Sequence, residues 1–95
     1  MPQTRLNHSL ICKRVVLYRV VNHKTRYYSI EIYPTLFGEI QLTREYGGVH
    51  NKKSTGVIKE YFSNLEDSFR VFESLVGLKL KRGYVFDKWL IELQN

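Results

Sequence analysis

Tyr27-Tyr28-Ser29-Ile30-Glu31-Ile32-Tyr33, then Pro34-Thr35-Leu36-Phe37-Gly38, then Glu39-Ile40-Gln41-Leu42-Thr43-Arg44-Glu45-Tyr46: this stretch decides the fold. Side chains alternate across a strand, so Tyr28, Ile30 and Ile32 share one face. Tyr27, Ser29, Glu31 and Tyr33 share the other, which makes this a half-buried strand. Pro34 ends the hydrogen-bond ladder, and Gly38 can take the positive φ that a return requires. Beyond the return, Ile40 and Leu42 lie on one face and Glu39, Gln41, Thr43 and Glu45 on the other. Two alternating segments joined by so short a connection predict an antiparallel pair.

Working upstream, Leu10 to Val21 is rich in β-branched residues (Ile11, Val15, Val16, Val20, Val21) and predicts a strand. The polar break Asn22-His23-Lys24-Thr25 has the length of a hairpin loop. Downstream, Gly47-Gly48 opens a polar loop that runs to Gly56, and Val57 to Phe62 predicts a fourth strand. The period then changes. Leu65, Phe69, Phe72, Val76 and Leu80 recur at helical spacing. Ser63-Asn64-Leu65-Glu66 has the form of a capping box, with Ser63 as the expected cap. Asp67 at the start, Lys79, Lys81 and Arg82 at the finish, and Gly83 as the stop all suit a helix dipole running through this segment. Gly77 is the one helix-weakening residue inside it. The expected architecture is α+β: an antiparallel sheet of four to five strands with one main helix packed on it. Residues 1–9 read as a flexible arm, 10–86 as the domain, and 87–95 as a tail. The apolar residues of that tail, Trp89, Leu90, Ile91 and Leu93, are expected to pack on the domain.

Ninety-five residues suffice for one modest core. Hydrophobic content of 43% with 14% aromatic residues argues against intrinsic disorder. The single cysteine, Cys12, excludes an internal disulfide framework and any cysteine-based zinc cluster, and it suits a reducing cytoplasm. No apolar run approaches the ~20 residues of a membrane span. The net charge is +6, and it is unevenly distributed: residues 1–26 carry six basic side chains and no acid, while the remainder carries nine of each sign. A basic edge on a small domain points to phosphate or to an acidic partner.

Catalysis requires a nucleophile, a base and a group that orients them. His8, His23 and His50 are scattered over an arm and two loops without metal-ligand spacing. Cys12 falls among valines and isoleucine, where a packed thiol is expected. Glu66 and Asp67 are accounted for by the helix start, and no glycine-rich phosphate loop is present. The chain is not expected to be an enzyme, nor to hold a metal or a cofactor. Binding has better material: Lys52 and Lys53 in the Gly47–Gly56 loop with Tyr46 at its mouth, and Lys79, Lys81 and Arg82 at the helix end followed by Tyr84. Cations neutralise phosphates, and a neighbouring aromatic ring can stack on a sugar or a base. Helix-end cations also complement the dipole, and strand-end tyrosines also serve as core rim.

Read as text, Arg26-Tyr27-Tyr28-Ser29-Ile30-Glu31-Ile32, Pro34-Thr35-Leu36-Phe37-Gly38-Glu39, Arg44-Glu45-Tyr46-Gly47-Gly48-Val49, Tyr61-Phe62 and Lys79-Leu80-Lys81-Arg82-Gly83-Tyr84 follow one another in an order that resembles the WGR domain family. That family takes its name from a Trp-Gly-Arg motif. It includes small stand-alone bacterial proteins, whose Pro-Thr-Leu-Phe-Gly turn and Lys-x-x-Arg-Gly-Tyr ending this chain shares, and a module of poly(ADP-ribose) polymerases. The resemblance covers about residues 11–86 and implies an antiparallel sheet with one principal helix. It also implies nucleic-acid binding, in the polymerases at DNA breaks, so DNA ends or 5′-phosphates are the expected partner. The candidate set is Arg26, Arg44, Tyr46, Lys52, Lys53, Lys79, Arg82 and Tyr84. At the eponymous motif the chain departs from its relatives: Tyr46 stands for Trp, Gly47 is kept, and Gly48 replaces Arg. Tyrosine still stacks, but glycine supplies no guanidinium fork. The implied function is therefore a non-catalytic nucleic-acid module weakened at this position. The alternative is a protein-interaction module that has lost recognition of DNA ends.

Overall fold

The computed structural model describes residues 11–86. Four strands, β1 (Lys13–Val21), β2 (Lys24–Pro34), β3 (Ile40–Gly48) and β4 (Gly56–Phe62), form one antiparallel meander in the order β1-β2-β3-β4. Among the described residues one helix, α1 (Leu65–Lys81), packs across one face. The fold is α+β, as the alternating and helical periods predict.

The β1–β2 connection is tighter than the four polar residues suggest. Only Asn22 and His23 lie outside the ladder, and both have positive φ (52° and 66°), the mark of a type I′ hairpin. That turn sets Leu17 opposite Tyr28 and Arg19 opposite Arg26. At the other end of β2, Thr35 closes the return: its Oγ1 accepts from the Phe37 and Glu39 amides, and Gly38 has φ 82°. Leu36 and Phe37 at this tip are 87% and 88% exposed.

The core lies between the sheet and α1. Leu17, Tyr28, Ile30, Ile32 and Leu42 from the sheet meet Phe72 from the helix, and Val15, Ile40, Phe62, Phe69, Leu75 and Val76 close around them. Three sequence expectations are corrected here. The helix cap is Asn64 rather than Ser63: Asn64 Oδ1 accepts from the Asp67 amide at 2.8 Å, and its amide nitrogen donates to the Asp67 carboxylate. Either residue can cap, and the choice follows the backbone entry angle set by β4.

The apolar stripe of α1 is also rotated. Ser68 is fully buried, while Leu65 and Leu80 are 40% and 38% exposed. At about 100° per residue, Lys79 falls only about 20° from Phe72 and Leu80 about 80° away, so the inward position in the last turn belongs to a lysine. Lastly, Cys12 is exposed rather than packed: its amide donates to the Ile32 carbonyl, but Lys13 faces Phe69 and Phe72 of the helix, so the alternation turns Cys12 to the open face. The arm and the tail beyond Phe86 lie outside the described residues.

Candidate nucleic-acid interface

One end of the domain gathers the Asn22-His23 turn, the loop between Gly48 and Gly56, and the C-terminal end of α1. On the helix side of the sheet at this end, strand alternation lines up Arg19 from β1, Arg26 and Tyr28 from β2, and Arg44 and Tyr46 from β3. Tyr28 and Tyr46 are register partners, and their rings stack at 5.8 Å with 7° between planes.

The helix terminus adds the third side. Arg82 caps α1, Gly83 takes φ 96°, the Gly83 amide donates to the Leu80 carbonyl, and the Tyr84 amide donates to that of Lys79. This is a Schellman stop, and it folds Tyr84 back so that its ring meets Tyr28 edge-on at 6.2 Å. Lys79 Nζ then sits 4.2 Å from the centroid of Tyr28 and 5.5 Å from that of Tyr84, and Arg19 stacks over Tyr84 at 5.9 Å. Between these groups lies an open pocket of about 250 Å³ lined by Arg26, Tyr28, Arg44, Tyr46, Ile58, Lys79 and Tyr84.

Its electrostatics are strongly one-sided. Arg19, Arg26, Arg44, Lys79 and Arg82 converge, and among the described residues the acid paired with them is Glu60, 3.2 Å from Arg44. Burial pushes the Lys79 ammonium below the ordinary lysine range, and the charges of Arg82, Arg44 and Arg19 push it the same way. Arg19 and Arg26 stand directly opposite each other across the β1–β2 ladder, an arrangement of like charges that costs stability unless an anion lies near. Arg44 Nε is buried without a hydrogen-bond partner among the described residues. The opposite face of the sheet is mixed in charge: it carries Arg14 paired with Glu31, Lys59, Glu45 and Tyr27, whose hydroxyl is held above its ordinary value by burial and by Glu45.

Residues 13–88 match the family described as WGR domain. The chain belongs to the WGR domain family. A relative, the uncharacterized protein y4dW of Sinorhizobium fredii (strain NBRC 101917 / NGR234), is 42% identical over 59 residues, 62% of this chain. The chain spans 28% of that relative's length. No solved structure matches.

In this WGR domain Tyr46-Gly47-Gly48, the segment that the resemblance sets at the eponymous motif, lies at the end of β3, where Tyr46 and Gly48 face the pocket side and Gly47 the opposite one. Two of these backbones are held close. A Cβ on Gly56, the register partner of Tyr46, would meet the Tyr46 hydroxyl at 2.4 Å, so the tyrosine ring lies across a strand position that only glycine leaves bare. A Cβ on Gly47 would meet the Thr55 amide nitrogen at 2.9 Å. Gly48 is freer, since its nearest obstacle is the movable Asn51 side chain.

The structure brings together Arg26, Arg44, Tyr46, Lys79 and Tyr84 from the predicted set, with Arg82 beside them. Lys52 and Lys53 stay exposed in the adjoining loop, at the same end but outside the pocket lining. Sequence reasoning missed Tyr28 and Arg19 as members of this cluster. Tyr28 reads as core, and only its register with Tyr46 reveals the stack. Arg19 reads as part of a diffuse basic edge, and only its register with Arg26 places it here.

Proposed function

We propose that this WGR domain is a non-catalytic module that binds nucleic acid, DNA in particular, by seating a phosphate of the strand in the pocket between Tyr46, Arg26 and Lys79. The observation that carries this reading is the convergence of five cations on three clustered tyrosines, with one neighbouring carboxylate and a buried guanidinium nitrogen left unbonded. Cations held close together at a cost in mutual repulsion gain most from an anion that bridges them, and aromatic walls suit the sugar or base beside it. The pocket is small for a base pair and suits a phosphate with its sugar, which favours a strand end or 5′-phosphate. Gly48 leaves the usual guanidinium out, so Arg26 and Lys79 carry the contact and affinity is modest. No helix among the described residues is long and apolar enough to cross a membrane, and a cytoplasmic place beside nucleic acid completes the reading.

The test is a fluorescence anisotropy titration of labelled duplexes with and without a 5′-phosphate, and of the matching single strand, across a salt series. One or two neutralised phosphates give a slope of log K on log salt of about −1 to −2, with the phosphorylated end preferred. Absence of binding at low salt would refute the proposal. A second reading, contact with a protein, is favoured by Leu36 and Phe37, which stand almost fully exposed at the opposite end of the sheet. Substituting both by serine leaves duplex binding intact on the first reading.

A further inference from the structure

A single helix is about 10–12 Å wide, whereas four strands set about 4.8 Å apart extend further, so one helix cannot roof the whole sheet. Here α1 lies over β2, β3 and β4, and the strip beside β1 is left as an apolar groove of about 460 Å³. Val15 lines its sheet side, Phe72, Val76, Gly77 and Leu80 its helix side, and Phe86 one end. Leu80 and Phe86 are 38% and 57% exposed along it.

We infer that residues 87–95 of the same molecule occupy this groove, inserting the side chains of Trp89, Leu90 and Leu93. Five observations point there. The chain is already delivered to the groove: Val85 and Tyr18 exchange both backbone hydrogen bonds at 2.8 Å, an antiparallel bridge that directs the following residues back along β1, over the groove. Phe86, the last described residue, lines it. Phe86, Trp89, Leu90 and Leu93 fall at i, i+3, i+4 and i+7, the sequence spacing that a helix would gather on one side. Gly77, a helix-weakening residue with no other explanation, has nothing within 4 Å of where its Cβ would be, and it provides the hollow in the floor. The rims are charged in both senses, Lys13 reaching towards Glu73 at 4.0 Å, and the segment brings Asp87, Lys88 and Glu92 to meet them.

Trp89 is the single tryptophan of the chain and reports its own surroundings. In the full 95-residue protein its emission is expected to be blue-shifted from that of the urea-unfolded chain and shielded from acrylamide, to the same degree on tenfold dilution. Gly77→Gln fills the hollow while raising helix propensity; it is expected to move the emission to the solvent-exposed position with far-UV circular dichroism and melting cooperativity retained. Gly77→Ala, which improves the helix without reaching across the groove, keeps Trp89 shielded. The inference is overturned if wild-type Trp89 is already solvent-exposed. It is equally overturned if Gly77→Gln leaves the emission unmoved, which places Trp89 elsewhere, or if shielding fades on dilution, which makes a second copy's segment the occupant.

Discussion

Lys79→Met separates what the pocket does for binding from what it does for folding. The methionine keeps the apolar stem against Tyr28 and Tyr84 and removes only the ammonium. Two opposing effects on stability follow. The cation over Tyr28 at 4.2 Å is lost, which at a half-buried site costs about 1 kcal/mol. Against this, removing the charge abolishes its burial penalty and its repulsion by Arg82, Arg44 and Arg19. The net change is expected to stay within about 1 kcal/mol, or a Tm shift below about 8 °C for a domain of this size.

Binding should respond quite differently. One phosphate contact contributes about 0.9 to the slope of log K on log salt, so its loss weakens affinity about eightfold at 0.1 M salt, or about 1.2 kcal/mol. The assay is the anisotropy titration with a 5′-phosphorylated duplex at four salt concentrations, paired with a thermal melt of each protein. The paired control replaces Lys52 and Lys53 by glutamine, because these cations lie outside the pocket lining. An unchanged slope in a folded Lys79→Met variant, together with a slope lost in the loop double variant, would refute the pocket and make the loop the contact.

Gly48→Arg restores the guanidinium at the family's motif position; displacing the Asn51 side chain is its local obstacle, so affinity should rise and the salt slope steepen by about 0.9, checked by the same titration. Gly56→Ala drives a Cβ to within 2.4 Å of the Tyr46 hydroxyl, and should destabilise by about 1–3 kcal/mol in urea melts while displacing Tyr46 and weakening binding. Asn64→Ala removes the observed cap and should cost about 1 kcal/mol by chemical denaturation, whereas Ser63→Ala should be close to neutral. Because Lys79 titrates below the ordinary lysine range, duplex affinity should begin to fall at a lower alkaline pH than an ordinary lysine would give, and Lys79→Arg should abolish that early fall. The sign for folding is opposite: the buried charge penalises the folded state at neutral pH, and the penalty is relieved as pH rises from the lowered value towards the unfolded one. Wild type should therefore gain stability relative to Lys79→Met across that alkaline window, read from urea midpoints.

Local information was enough for most of the architecture. The alternation from Tyr27 to Tyr46 needs only the period of a strand, and the Lys79–Tyr84 ending needs only the preference of glycine for positive φ, so strands, helix and stop were legible residue by residue. The resemblance at the motifs named the family that the match over residues 13–88 bears out. What one stretch of chain does not contain is the partner it meets. The cap moved to Asn64 because β4 sets the approach to the helix, and Cys12 was left exposed because the helix covers the other face of β1.

The pocket itself is a product of register and rotation. The two-residue turn at Asn22-His23 puts Arg19 against Arg26, and a shift of one residue would send both to opposite faces. The register of β2 with β3 stacks Tyr28 on Tyr46, and the helix's rotation brings Lys79 over them. The surplus charge of the first 26 residues was countable in the sequence; that Arg19 and Arg26 leave that edge to join Arg44, Lys79 and Arg82 was not. Charge interaction and ring stacking depend on distances of a few ångströms between groups up to 63 residues apart along the chain, from Arg19 to Arg82, and only packing sets such distances.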